Sequence, residues 1–274
     1  MMWKKRANLI LLTIIVIAFW YVFFHKPSND GNWQQKVAVL STAEFSDNKV
    51  TVRNVRNFTY PQQKEDEPSV NYYDKTYDLD KVTKTWFITE PFKPGALAAH
   101  TFLSFQFSNN DFLSITIESR LQKGQKYNIY KGLFHTYPLI YVASDEKDAV
   151  LLRTNVRKSY VDMYPVKMTP EQSRILLVDM LKTMNDLGKK PDWYNTIWAN
   201  CTSRIAYHVN KIWPDALSMI SWQLWLTGRA DDLAFKKGLI DSDLPITEAR
   251  EKYLITEKSQ KIGYVPDYSV LIRK

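Results

Sequence analysis

The chain has 274 residues, 45% of them hydrophobic and 14% aromatic, with one cysteine and a formal net charge of +8. That composition excludes a disordered chain, and a lone cysteine excludes an intramolecular disulfide framework, so stability must come from packing. Lys4, Lys5 and Arg6 carry three of the positive charges. The remainder is compatible with anionic lipid headgroups or cell-wall polymer and requires neither.

Taken in chain order, residues 1–6 read as a cytoplasmic N-terminus and residues 7–24 as a transmembrane signal anchor. The run Leu9 to Phe24 holds no charge. About 18 apolar residues span roughly 27 Å as a helix, close to the ~30 Å hydrocarbon core. Trp20 and Tyr21 suit an aromatic belt, and the basic residues ahead of the run keep that end inside. No small-x-small cleavage pattern precedes His25, which disfavours a removed signal peptide. The expected localisation is the bacterial inner membrane, single-pass, with the domain in the periplasm, and nucleic acid is excluded as a partner. Residues 25–35 read as a linker and 36–274 as the exported domain.

Within that domain, 37–45 and 50–60 read as strands joined at Ser46-Asp47-Asn48-Lys49, and 61–69 as a loop. Another strand covers 82–89, closed by Pro91 and Pro94. Residues 98–107 and 112–121 alternate as a hairpin about Asn109-Asn110, because Asn tolerates positive φ. Residues 139–143 and 149–153 read as short buried strands flanking Asp145-Glu146-Lys147-Asp148. Thr169-Pro170-Glu171-Gln172 then starts a helix with a cap, a proline and a capping-box glutamine, and Gly188 is its natural stop. A second helical stripe joins Cys201, Ile205, His208 and Ile212, and 215–240 reads as helical with breaks at Gly228 and Gly238. Strands followed by helices predict an α+β domain.

Cys201 carries the chemistry best suited to catalysis, since a thiol at a helix N-terminus is biased toward thiolate. It needs a base. His25 borders the membrane segment, and His208 lies about two turns along the same helix, roughly 10 Å away. His135 is open to either a structural or a catalytic reading. His100 sits on a strong strand beside small residues that leave room for a partner. Glu118, on the next strand, is the candidate to orient the imidazole as the third member of a triad. Its rival role is a surface pair with Arg120. Strict pairing about Asn109-Asn110 sets His100 opposite Ser119 with Glu118 facing away, unless a bulge intervenes. Asn195 and Asn200 flank the cysteine as candidate positioning or oxyanion residues. No metal motif, phosphate-binding glycine loop or Gly-x-Ser-x-Gly elbow is visible, so no metal or cofactor is expected. On residue pattern alone, a buried structural cysteine and a catalytic one stand at even odds.

Several ordered blocks resemble one family. They are Asn54-Val55-Arg56-Asn57-Phe58-Thr59-Tyr60, Ala99-His100-Thr101-Phe102-Leu103-Ser104-Phe105, Ile117-Glu118-Ser119-Arg120, Leu139-Ile140-Tyr141-Val142 with Asp145-Glu146 and Asp148, and Tyr194-Asn195-Thr196 with Asn200-Cys201-Thr202. Together, over roughly 54–240, they resemble the Lnb-type N-terminal periplasmic domain family, named for a bacterial lipoprotein N-acyltransferase. That family resembles papain-like thiol hydrolases of the NlpC type in circularly permuted form, with a strand-borne His ahead of a helix-borne Cys. The resemblance implies Cys201 as nucleophile and His100 as base. It leaves the third polar residue open. The implied function is a membrane-anchored cysteine acyltransferase or hydrolase working through a thioester, with a lipoprotein or phospholipid acyl chain as substrate. A peptidoglycan amide hydrolase and a non-enzymatic scaffold or binding domain with an inert thiol are the alternatives. Oligomeric state and partner proteins are not specified.

Overall fold

A computed structural model describes residues 25–60, 68–93 and 95–274, together with scattered positions before residue 25. The expected membrane span falls largely outside the described residues. Among those described, no helix is long and apolar enough to cross a membrane.

The α+β expectation holds. Among the described residues, eight strands form one sheet: β1 (Thr42–Ser46), β2 (Lys49–Arg56), β3 (Tyr72–Asp78), β4 (Val82–Pro91), β5 (Ala99–Phe107), β6 (Phe112–Ser119), β7 (Leu139–Ser144) and β8 (Asp162–Pro165). The order is β1-β2-β7-β6-β5-β4-β8, with β3 paired to β2. All ladders are antiparallel except a single parallel pairing, Arg56 with Ser144, that joins β2 to β7.

Helices cover both faces, so the central strands are buried on both sides and read as nearly continuous apolar runs. On one face, the long helix Pro170–Lys189 and the helix Cys201–Ile212 pack Leu176, Met180, Leu181, Ile205 and Val209 against Leu103, Phe105, Leu113 and Ile115. In chain order these are α3 and α4, after α1 (Ile129–Leu133) and α2 (Glu146–Leu151). On the other face, α2 and the C-terminal helices α8 (Thr256–Ile262) and α9 (Tyr268–Leu271) enclose Phe102, Val150, Met163, Ile255 and Tyr268.

The expected strand at 149–153 is instead helix α2 running into a π-helical turn, Leu152–Val156. Asp145, expected in a loop, is its N-cap and accepts from the Lys147 N–H at 2.9 Å. An apolar run buried all round carries no period that separates helix from strand. Asp148 anchors this helix to β2, taking Arg56 at 2.8 and 3.1 Å, the Phe58 N–H and the Tyr60 hydroxyl. Two sequence blocks 92 residues apart thus meet in one buried ion pair.

The helical reading of 215–240 breaks into shorter pieces: α5 (Trp222–Trp225), a 3-10 turn at Thr227–Arg229 and α6 (Ala230–Lys236). Past Gly238, α7 (Ile246–Tyr253) leads to α8. Nor is residue 25 onward held apart from the sheet. Trp33 packs with Val37, Ile140 and Val142, and Asn29 binds the carbonyls of Leu187 and Gly188.

Candidate active site

Cys201 is presented by a loop built on two asparagines. Asn195 Oδ1 accepts from the N–H groups of Ile197 and Trp198, at 2.9 and 3.0 Å, while its amide donates to the Leu133 carbonyl. Asn200 is the N-cap of α4, with extended backbone. Its Oδ1 accepts from the Ser203 N–H at 2.8 Å, and Ser203 Oγ accepts in return from the Asn200 N–H. The Asn200 amide donates to the carbonyls of Thr196, Ile197 and Leu224. Every polar group of that side chain is therefore committed to holding the loop and starting the helix.

Cys201 opens the first turn of α4 and is only 4% exposed. No described hydrogen bond between backbone groups uses its N–H or that of Thr202. Its sulfur lies 3.9 Å from the Thr202 hydroxyl and near enough to His100 and Thr101 for both to act on the thiol. Thr101 also meets Thr202, oxygen to oxygen at 3.0 Å, which fastens the helix start to the beginning of β5.

The β5–β6 register decides what His100 faces. Phe102 pairs with Thr116 and Gln106 with Phe112. The connection is a turn from Phe107 to Asn110, with the Asn110 N–H donating to the Phe107 carbonyl and Asn110 left-handed at φ 62°. This three-residue loop shifts the register one step from strict pairing about the two asparagines. Continued past the last pair, it sets His100 opposite Glu118, correcting the expected Ser119. His100 Nε2 lies 3.3 Å from Glu118 Oε1, an ion-pair distance without the alignment of a good hydrogen bond. Arg120 does not compete for Glu118. It is buried and donates to the carbonyls of Val37 and Ala38.

Two further residues complete the cluster, and sequence reading missed both. Glu90 is the β4 partner of His100. Arg153, in the π-helical turn, lies 3.0 Å from Glu90 and 3.4 Å from Glu118, and its guanidinium sits over the Phe102 ring. Arg157 adds a second cation to Glu90 at 2.9 Å. Glu90 and Arg153 are each 1% exposed and lie 63 residues apart in the chain, so only the fold reveals the pairing.

Burial is the largest single influence on the His100 pKa and would depress it, and Arg153 pushes the same way. The Glu118 charge, the largest opposing influence, and the adjacent Cys201 and Glu118 side chains together overcome both, and the value is pushed up to about 9. Burial opposes ionisation of Glu118, yet His100 and Arg153 hold it well below the usual carboxylate range. Burial likewise raises the Cys201 thiol, but His100 and the Thr101 donors bring it below its ordinary value. All three directions favour one charge state: thiolate, imidazolium, carboxylate.

The approach to His100 is held from a distance. Thr227 Oγ1 donates to the Ala99 carbonyl at 2.7 Å and accepts from the Ala99 N–H at 2.9 Å. The Gly228 N–H donates to the Leu97 carbonyl, and a Cβ at Gly228 would lie 2.0 Å from the Ala96 oxygen. Beside this clamp is a cavity of about 290 Å³ bordered by Ala99, Asp162, Arg229 and Arg250. A cavity of about 50 Å³ lies beneath α4, lined by Thr202, Leu103, Leu176, Ile205 and Leu224 among others.

The other histidines lie elsewhere. His208 is fully buried, donating to Asp179 at 2.6 Å and accepting from Tyr141 at 2.8 Å, and burial lowers its pKa. His135 has φ 46° and stacks on Trp193. His25 binds the His135 carbonyl and stacks on the other ring of the pair, Trp193. The Tyr127 hydroxyl pairs with Thr196 at 2.8 Å and its ring meets that of Tyr194 edge to face at 6.0 Å, and both tyrosines lie near enough to Cys201 to feel its charge.

The sequence model of one family, described as the Lnb N-terminal periplasmic domain, matches residues 69–228. No curated protein and no solved structure matches the chain.

Proposed function

Since the chain belongs to the Lnb N-terminal periplasmic domain family, we propose that it is a thiol enzyme that transfers or hydrolyses an acyl group through a thioester on Cys201. The observation that carries this is the alignment Cys201–His100–Glu118, a buried thiol at a helix start close enough to an imidazole to be tuned by it, with that imidazole's Nε2 3.3 Å from a carboxylate. Nε2 is turned to Glu118, which leaves Nδ1 for the thiol. A strand-borne histidine ahead of a helix-borne cysteine supports the permuted papain-like reading.

In the first half-reaction the thiolate attacks an ester or amide carbonyl, and a C–S bond forms as the carbonyl oxygen takes up negative charge. The N–H groups of Cys201 and Thr202, at the positive end of the helix, are the donors for that oxygen. Collapse breaks the bond to the alcohol or amine, which leaves with the proton from His100. In the second half, His100 takes the proton of the incoming acceptor as its oxygen or nitrogen attacks the thioester, and the thiolate is released. Water as acceptor makes a hydrolase and an amine makes a transferase.

An apolar cavity lined in part by Thr202, the residue after Cys201, favours an acyl chain of a lipoprotein or phospholipid over a peptidoglycan amide. At about 50 Å³ it admits the start of a chain only. A tethered position at the inner membrane is part of the same reading. The 4% exposure of Cys201 is what a scaffold with an inert thiol would rest on.

Alkylation of Cys201 across a pH series separates the two. The enzyme reading expects a thiolate titrating below the ordinary thiol range, and H100Q should cut the rate near neutrality about tenfold or more, a one-unit shift. A thiol that titrates in the ordinary range, unmoved by H100Q, would overturn it.

A further inference from the structure

Most of the large apolar side chains of the domain that are more than half exposed fall in three segments, with Phe92 and Leu97 outside them. Ile129, Tyr130, Phe134, Trp198, Ile220 and Trp222 are each more than half exposed. The segments that carry them are bonded into one surface around the cysteine loop. Thr196 donates from its N–H to the Gly132 carbonyl and from its hydroxyl to the Ile129 carbonyl, joining α1 to that loop. Trp198 meets Trp225 edge to face at 5.4 Å, joining the loop to α5. Asn200, immediately before the nucleophile, binds the Leu224 carbonyl in the same helix.

Charge is distributed to match. Residues 122–137 hold Lys123, Lys126 and Lys131 and no acidic residue, while 193–201 and 216–228 hold no charge at all. Isolated exposed apolar residues need no explanation, but a contiguous aromatic and aliphatic patch with a cationic edge does. Its composition is that of a protein surface seated in the interfacial layer of a bilayer, apolar side chains down and lysines among anionic headgroups.

The N-terminal segment identifies the occupant. Its uncharged run ends at Phe24. The residues on either side of that end bind this same face: the Tyr21 hydroxyl donates to the Phe134 carbonyl, and His25 is 2.7 Å from the His135 carbonyl. A bilayer that holds the apolar run would therefore lie against this patch.

We propose that this face is a membrane-docking surface that sets the Cys201 loop on an anionic phospholipid bilayer. The proposal deepens the acyl-transfer reading by bringing a lipid-borne acyl group to the thiol. Its observations are independent of the chemistry at Cys201.

The test uses the full-length chain reconstituted into phosphatidylethanolamine/phosphatidylglycerol vesicles with brominated acyl chains, which quench tryptophan on contact. Trp3 and Trp20 are common to all variants, so the readout is a difference. W198F/W222F should lose at least about a third of the lipid-dependent quenching, and I129E/I220E should lose a comparable share, with unchanged near-UV circular dichroism. C201S should be quenched as the wild type is, which separates docking from catalysis. Quenching indifferent to W198F/W222F would overturn the proposal. So would equal access of aqueous acrylamide to Trp198 and Trp222 in vesicles and in detergent, as expected if the patch is free or a protein partner covers it.

Discussion

Each residue of the cluster has a different job, and the jobs separate by what they titrate. Glu118 supplies the largest upward influence on His100. E118Q should therefore lower the alkaline limit of activity from about 9 by about 1–3 units, the range for loss of a neighbouring opposite charge. The pH–rate profile of the purified chain reads this directly. Asn200 is different. With all its polar groups bound to backbone, N200A should cost roughly 1–2 kcal/mol of stability as a lost cap. Denaturant melts measure that cost, and alkylation of Cys201 should lose its advantage in parallel as the loop loosens. Cys201 and His100 were legible as residues because a lone thiol before a helix and a histidine between small residues on a strand are local signals. Glu118 was legible as a type but not as a direction. One left-handed asparagine in the β5–β6 turn decides its face, and Asn109-Asn110 fits either a two-residue or a three-residue loop. Glu90 and Arg153 carry no local signal.

At the level of elements, the turn and the π-helical segment do the positioning. Asn110 at φ 62° suits glycine or asparagine, so N110V should cost about 1–2 kcal/mol, whereas N110G should be near neutral. The variant N110V should also lose activity beyond its stability loss if the register slips, because Glu118 then turns from His100. Arg153 is a positioning residue buried between two carboxylates. Removing it in R153M leaves Glu90 with Arg157 alone and Glu118 with His100 alone, and a loss at the lower end of the ~3–5 kcal/mol for breaking a buried pair is expected. R153K should fold better and still move the His100 pH limit, since a lysine cannot span both carboxylates as a planar guanidinium does. Strands β4 to β7 and helices α3 and α4 were readable from β-rich runs, caps and apolar stripes. Strands β3 and β8 were not. β3 is a partly exposed strand paired only to β2, and β8 has four residues held by β4. Helix α2 was misread because burial on every side erases periodicity.

For the molecule as a whole, the active-site charges also stabilise the fold. His100 is raised from 6.5 to about 9, so its contribution is complete below about pH 6.5 and is lost as pH rises through 9. Glu118 is depressed, so its contribution is present above the ordinary carboxylate range and is lost on acidification. Thermal melts should show stability declining between about pH 7 and 10, and H100Q should flatten that limb. A wild-type curve level across that range would contradict the charge-paired state. The α+β architecture was readable from strands preceding helices. The covering of the sheet's second face by the C-terminal helices was not, because 241–274 offers only short elements. One contact between distant parts of the fold has a consequence for descent. Thr227, through its hydroxyl, and Gly228, through its N–H, hold the backbone at 96–99, about 128 residues away in sequence. Neither side takes part in bond-making, yet a methyl group at one displaces the carbonyl at the other, one turn of strand before His100. Across related chains these two stretches are expected to drift as a coupled pair, a smaller residue in one admitting a bulkier one opposite. An inherited G228A is expected to be tolerated only in lineages that have already rebuilt the 96–99 bend.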